Sequence, residues 1–391
     1  MVVMNAKKLD GIKIARVSTV VFFIDTQLHV QITKTVEAGA SVTIVASEQE
    51  MDRTISDSCY VSLDIPRKIH LLRDVVALFK LWYFFRKSKF DIIHSTTPKA
   101  GLLCALAGFL ARVPIRIHTF TGQPWVGLTG MKRWVSKTSD KIILLLNTRC
   151  YTDSFSQRNF LVESGIAQVD KVGVLGSGSL AGVDLQRFNA SRFNSEDKYD
   201  LKMLLGIPNE SKVLLFVGRV TKDKGVAELL AAFSHLVTQG INSYLILLGP
   251  FEDDASMLLD TVVTKVKEKI ITPGFTHEPE RFMALADVLI LPSYREGFGT
   301  VIIEAAAMRV PSIGTKIYGL SDAIVDGLTG VLVPIKNIDR LSLAMKELLE
   351  NDSLRIKLGE NALNRVVNEF SDTTMSDLVI DEYVSLLNKY K

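Results

Sequence analysis

Short, continuously apolar runs alternate with amphipathic stretches along the second half of the chain. The runs are KVLLFVG (212–218), SYLILLG (243–249), KIITPGF (269–275), DVLILPS (287–293), VPSIG (310–314) and TGVLVP (329–334), with segments such as VAELLAAFSHLVTQ between them. Strands that are apolar throughout and separated by helices predict a parallel sheet covered on both faces, a doubly wound α/β domain. The first half repeats the pattern less regularly, with IKIARVS (12–18), SVTIVAS (41–47), DIIHS (91–95), IRIHT (115–119), KIILLL (141–146) and KVGVLG (171–176) read as strands of a second such domain. The polar NASRFNSEDKYD (189–200) reads as a linker and MSDLVIDEYVSLLNKY as a closing amphipathic helix. The expected division is residues 1–188, residues 189–372, and a helix over 373–391 that packs back on the first domain.

A chain of 391 residues with 47% hydrophobic content has apolar material for two cores. Cys59, Cys104 and Cys150 lie far apart and outside metal-ligand spacing, which predicts a reduced compartment and neither disulfide nor zinc. The start, MVVMNAKKLDGIKIARV, lacks the marks of a signal peptide, and the longest apolar runs are too short to span a bilayer. The expectation is a cytoplasmic chain that is neither exported nor membrane-spanning. Charge is uneven: residues 1–190 hold 24 Lys and Arg against 15 Asp and Glu, and the remainder holds 22 against 28. The first half is expected to meet something anionic.

In open parallel sheets ligands bind beyond the carboxyl ends of the strands. His94 and His118 fall there in the first half, and Arg219, Gly249, Gly274 and Glu296 in the second. Strand ends that face one another would form one interdomain cleft. In REGFGTVIIE (295–304), Gly297 and Gly299 allow close backbone approach where a strand runs into a helix, and free helix N–H groups there suit phosphate. Glu296 and Glu304 then flank the anion, one placed for each hydroxyl-bearing sugar of a nucleotide sugar. A plain strand–helix turn with a glutamate favoured by the helix dipole is the alternative. VGRVTKDKG (217–225) puts Arg219 at a strand end and Lys224 before the next helix, two cations suited to a diphosphate leaving group. A solvated surface loop is the alternative there.

Together with TPGF (272–275) and SIGTKIYGLSDAIVDGLTGVLVP (312–334), these motifs resemble the second domain of the retaining glycosyltransferases of the large bacterial family four, which have the GT-B fold. The resemblance implies two Rossmann-like domains facing across a cleft. It implies that Gly218, Arg219 and Lys224 meet the donor diphosphate, Glu296 the sugar hydroxyls and Glu304 the ribose. The turn of Gly297, Phe298 and Gly299, with Thr300, would bind phosphate, and the loop from Thr272 to Phe275 the nucleobase. STTPKAGLLCALAGFLARVPIRIHTFTGQ (95–123) and VLGSGSLAGVDLQRF (174–188) are similar to the transferases that build lipid-linked glycans for bacterial capsules, O-antigens and glycoproteins, many of which use UDP-N-acetylhexosamines or deoxyamino sugars. His118 matches the histidine those enzymes place near the donor sugar; a satisfied core histidine is the other reading. Two departures stand out: VSTVVFFIDTQL (17–28) lacks the glycine pair that many members use, and Ala181 stands where asparagine is expected.

RKIHLLRDVVALFKLWYFFRKSKF (67–90) combines Arg67, Lys68, Arg73, Lys80, Arg86, Lys87 and Lys89 with Trp82, Tyr83, Phe84 and Phe85, against the single acid Asp74. Cations with interfacial aromatics suit a helix lying on anionic lipid, here the cytoplasmic face of an inner membrane. A core helix with a basic outer face is the alternative. The acceptor that the resemblance implies is undecaprenyl-diphosphate linked, and this patch, with His94 and Lys99, would meet it. No nucleic-acid module is visible. There is no Asp-x-Asp motif, and FEDDAS (251–256) reads as helix-start acids, so the expected transfer needs neither metal nor cofactor beyond its UDP-sugar substrate. Two rivals remain, a GT-B-fold UDP-sugar epimerase and a non-enzymatic component of glycan assembly. A nicotinamide dehydrogenase would need a glycine fingerprint that neither half contains.

Overall fold

The computed structural model describes residues 7–49, 55, 57–66 and 70–390. The chain forms two compact units, one from the chain up to Gly182 together with the segment from Asp372 on, the other from Val183–Ser371. The first contains a seven-stranded sheet of β1 (Lys13–Val17), β2 (Ser41–Ala46), β3 (Cys59–Ser62), β4 (Ile92–Ser95), β5 (Ile115–Phe120), β6 (Arg149–Thr152) and β7 (Val172–Val174), in the order β3-β2-β1-β4-β5-β6-β7. The second contains β8 (Lys212–Val217), β9 (Ser243–Leu248), β10 (Ile270–Gly274), β11 (Val288–Leu291), β12 (Ser312–Thr315) and β13 (Gly330–Val333), in the order β10-β9-β8-β11-β12-β13. All pairings are parallel. Each sheet therefore has a topological switch point, beside β1 and β4 in the first and beside β8 and β11 in the second, where loops diverge and a ligand finds room.

Three readings of the sequence are corrected. KIILLL is the end of the helix Gly130–Leu146, not a strand. Ile143 is fully buried while Leu145 is 80% exposed, the one-sided burial of a surface helix, and a six-residue apolar run cannot distinguish the two by itself. Strands β3 and β6, CYVS and RCYT, were not expected, because their polar residues interrupt the apolar run. The stretch 189–200 is no linker. It contributes the turn Ala190–Arg192 and the start of the helix Ser195–Leu204 to the second unit, with Ala190 and Phe193 packed on its core. Its polarity belongs to a helix start, where Asn194 and Asp197 cap each other reciprocally.

The helix Asp372–Tyr390 lies on the first unit and buries Val379, Ile380, Tyr383, Leu386 and Leu387 in a core that includes Ile14 and Ile92. Inside that contact Arg16 is only 2% exposed, with no carboxylate beside it in any ion pair among the described residues. Its Nη1 donates to the Tyr383 hydroxyl at 2.6 Å and lies 3.1 Å from His94 Nδ1. Tyr383 Oη is 2.7 Å from that same Nδ1, and His94 Nε2 is 2.9 Å from Thr119 Oγ1. These partners fit a neutral ring protonated on Nε2. Burial, reinforced by the neighbouring Arg16 charge, holds the imidazole well below its ordinary value.

The Tyr383 hydroxyl thus satisfies two buried groups that have little else. Tyr383→Phe is expected to destabilise the first unit by about 1–3 kcal/mol, the penalty for leaving buried polar groups unpaired. Trp82, Trp125 and Trp134 are the chain's three tryptophans and all precede Gly182, so tryptophan fluorescence in a urea titration reads this unit. An unchanged midpoint would show that the hydroxyl is not needed.

Candidate functional site

The second unit gathers most of the expected donor residues at the carboxyl end of its sheet. β11 ends at Leu291, and the chain turns through Pro292 to Gly299 before the helix Thr300–Ala307 begins. Gly299 is the N-cap, at φ 86°, a left-handed conformation that favours glycine, and no side chain caps the helix. The opening amides are thereby left without side-chain acceptors, an anion site in waiting. Phe298 does not join it through its ring, which is 3% exposed and packs 5.3 Å from Phe370, so only its backbone can serve a ligand.

Lys224 comes from the short turn Lys222–Lys224 after β8. Gly225, at φ 70°, follows it, and a Cβ there would lie 2.1 Å from the Pro292 carbonyl, so only glycine lets the two loops touch. Across this contact Lys224 Nζ meets Glu296 Oε1 at 2.5 Å, and the Ser293 hydroxyl donates to the same oxygen at 2.8 Å. Their side chains are 17% and 13% exposed. Asp223 adds a second tie, accepting from Thr221 Oγ1 at 2.5 Å and from Arg295 Nη2 at 3.2 Å. A third runs from the Tyr294 hydroxyl to Glu228. Sequence reading missed Asp223, Ser293 and Arg295; their places beside Lys224 and Glu296 were the available signal.

Arg219 follows Gly218 directly beyond β8 and pairs with Glu252 at 2.5 Å, with exposures of 42% and 38%. Both candidate cations are therefore already paired with carboxylates. Thr272 lies on the edge strand β10 and is exposed; Phe275, just past the strand, is 49% exposed and stands edge-on to His277. Glu304 sits on the helix Thr300–Ala307, half-buried. Burial pushes its carboxyl up to about 7, with Arg187 opposing and Glu280 adding to the shift.

The expected residues of the first unit fare differently. His118 on β5 is 1% exposed, with Nδ1 3.0 Å from Ser95 Oγ and the ring 4.6 Å from that of Phe120. A Cβ at Gly101 would fall 2.3 Å from it, so the helix Pro98–Leu110 lies directly on the imidazole. Burial brings its value down to about 3. Both His94 and His118 are thus buried side chains of the first unit, the satisfied-core reading of a histidine at a strand end. Lys99 is tied to Asp74 at 2.7 Å.

In the helix Leu71–Ser88, Arg86 and Lys87 are exposed, as is Lys89 just beyond it, and Trp82 is 37% exposed. Phe85 is buried and Phe84 partly so, both beside Phe90, which corrects the reading of 82–85 as one interfacial run. Arg67 and Lys68 lie outside the described residues. Tyr83 is exposed as the sequence reading expects, and so are Leu71, Leu72 and Phe79, which that reading does not name. Met131 and Trp134 are exposed likewise on Gly130–Leu146.

The description "Glycosyl transferases group 1" matches residues 198–365, and "Glycosyl transferase 4-like domain" matches residues 24–175. The capsular polysaccharide biosynthesis glycosyltransferase CapM of Staphylococcus aureus is 32% identical over 89% of this chain and 90% of its own. The chain belongs to this glycosyltransferase family. A UDP-Gal:alpha-D-GlcNAc-diphosphoundecaprenol alpha-1,3-galactosyltransferase of Escherichia coli is 28% identical over 82% of each chain. The Anabaena Alr3699/HepE structure in complex with UDP and glucose superposes with a TM-score of 0.78 at 17% identity, covering 96% of this chain and all of that one. The enzyme's fold is accordingly GT-B. Among the described residues no helix is long and apolar enough to cross a membrane, and no cluster of three or more His, Cys, Asp or Glu side chains is placed to hold a metal ion.

Glu304 makes the stability of this glycosyltransferase depend on pH. Its carboxyl rises from 4.5 to about 7 on folding, so its contribution is complete below 4.5 and is lost as pH rises through about 7. Glu304→Gln keeps a neutral group throughout. The variant is expected to match the parent near pH 4.5 and to exceed it by about 1–3 kcal/mol at pH 8. Paired melts at the two pH values check this, since other titrating groups cancel in the comparison; a gap that does not change with pH would contradict it.

Proposed function

We propose that this glycosyltransferase moves a sugar, an N-acetylhexosamine or a deoxyamino sugar, from a UDP-linked donor to an undecaprenyl-diphosphate-linked acceptor, with retention, in bacterial surface-glycan synthesis. The observation that carries the donor half is the Lys224–Glu296 pair beside the uncapped start of the helix at Gly299, with Glu304 eight positions beyond Glu296. The amides of 297–299 and Lys224 hold the diphosphate. Arg219 joins them by exchanging the exposed Glu252 for phosphate, because an exposed ion pair is worth only about 0–1 kcal/mol. These groups stabilise the charge that leaves with the diphosphate as the sugar becomes oxocarbenium-like. Lys224 and Ser293 both engage Oε1 of Glu296, which leaves Oε2 to accept from a hydroxyl of the transferred sugar. Glu304 takes the ribose, and the loop from Thr272 to Phe275 the base. Two cations on the diphosphate, Lys224 and Arg219, make a divalent metal unnecessary. The lipid-linked acceptor rests on the name of the Escherichia coli relative, and the surface-glycan setting on CapM.

The same proposal places the enzyme peripherally on the cytoplasmic face of an anionic membrane. The support is the helix Leu71–Ser88, where exposed Leu71, Leu72, Phe79 and Tyr83 accompany Arg86 and Lys87, with Lys89 next in the chain. Each cation near such a surface contributes about 1 kcal/mol, so several must act together. An epimerase of the same fold would need no such surface and no acceptor.

One assay tests both halves: labelled UDP-sugars, anionic vesicles carrying the polyprenyl-diphosphate glycan, and EDTA throughout. The enzyme is expected to label the lipid. The Arg86→Ser, Lys87→Ser, Lys89→Ser triple variant should leave the vesicles while binding UDP as the parent does. Turnover that stops with EDTA and returns with manganese, turnover with no lipid acceptor, or a triple variant that sediments like the parent would each refute the corresponding part.

A further inference from the structure

Arg187 ties together three pieces of the second unit. It lies in the segment that follows Val183, where VDLQRF places no strand or helix. Two of its three nitrogens are engaged: Nε and Nη2 approach Glu280 Oε2 at 3.1 and 2.9 Å, and Nη2 also donates to the His277 carbonyl at 2.5 Å. The guanidinium carbon stands 5.0 Å from the Phe188 ring. Glu280 belongs to the short helix Pro279–Met283 and is 6% exposed. His277 carries the loop that presents Phe275, edge-on at 4.7 Å. One planar cation therefore fixes both the 275–277 loop and the helix after it, by bonds a single-point ammonium cannot reproduce.

We propose that Arg187 is a positioning residue for the donor nucleoside: without touching the ligand, it holds the 275–277 loop against Glu280. The proposal rests on the reading that Glu304 takes the ribose and the 272–275 loop the base. The electrostatics agree with the geometry. Burial and the Glu280 carboxylate raise the proton affinity of Glu304, and Arg187 is the cation that opposes this. The diphosphate end of the site is held by other groups, Lys224 and the helix start at Gly299. Arg187 should therefore matter for the nucleoside and not for the phosphates.

Calorimetry with UDP and with inorganic pyrophosphate, joined to donor kinetics, separates the two ends. Arg187→Gln is expected to weaken UDP and raise the donor KM about tenfold, the scale of one or two lost hydrogen bonds, with kcat at saturating donor and pyrophosphate affinity within about twofold of the parent. Arg187→Lys, which keeps the charge and loses the fork, should fall between them. Combining Arg187→Gln with Glu304→Ala should cost less UDP affinity than the two single losses together, because both act on one ribose contact. Unchanged pyrophosphate binding also shows that the variant has folded. Equal loss of UDP and pyrophosphate would overturn the proposal, as a general defect of the unit. UDP affinity retained in Arg187→Gln but lost in Glu304→Ala would overturn it and leave the ribose assignment standing. UDP affinity retained in Glu304→Ala would remove the reading beneath it.

Discussion

The ion pair between Lys224 and Glu296 joins loops 72 residues apart in sequence, and the proposed donor site depends on it. At 17% and 13% exposure neither side chain has much water to fall back on, and Glu296 is also held by Ser293. A hydrogen bond to a charged group of this kind contributes about 1.5–3 kcal/mol, and removing one partner strands the other. The pair between Arg219 and Glu252 has the same length but roughly 40% exposure on each side and contributes far less. The two cations are thus prepared differently. Lys224 is fixed before any donor arrives, whereas Arg219 can change partner.

The first unit uses its buried polar groups for another end. Arg16, His94, Thr119 and Tyr383 form a sealed set that fastens the helix Asp372–Tyr390 to the sheet. His118 is sealed as well, beneath Gly101. Near neutral pH both imidazoles are uncharged, since burial holds each below its ordinary value. What this unit offers to the outside is instead the surface of its helices, where large apolar side chains and cations stand together on Leu71–Ser88 and Gly130–Leu146.

Much of the second unit was legible because its strands are apolar on both faces, and each of the six runs read from the sequence holds a strand. The first unit was harder for the same physical reason in reverse. β3 and β6 carry polar residues, and KIILLL is a helix end whose apolar run outlasts its buried face. Position at a strand end was legible for His94 and His118, but the direction and cover of their rings were not, because those depend on Gly101 and on Tyr383, which lies 289 residues beyond His94. Phe298 illustrates the same limit: its place in the turn could be read, and its burial against Phe370 could not. Glu280 and Arg187 escaped notice, as did the pairing of Glu252 with Arg219, because partners distant in sequence leave no local spacing to read.

The central claim is that the donor diphosphate lies on the backbone of the second unit, at the helix start by Gly299 and the turn that carries Lys224. Hydrogen–deuterium exchange of the parent enzyme with and without UDP measures those amides directly. The account predicts slower exchange on UDP binding in peptides covering 296–301 and 218–225, with none over 71–88. Protection confined to the first unit, or unchanged exchange over 296–301 at saturating UDP, would contradict it.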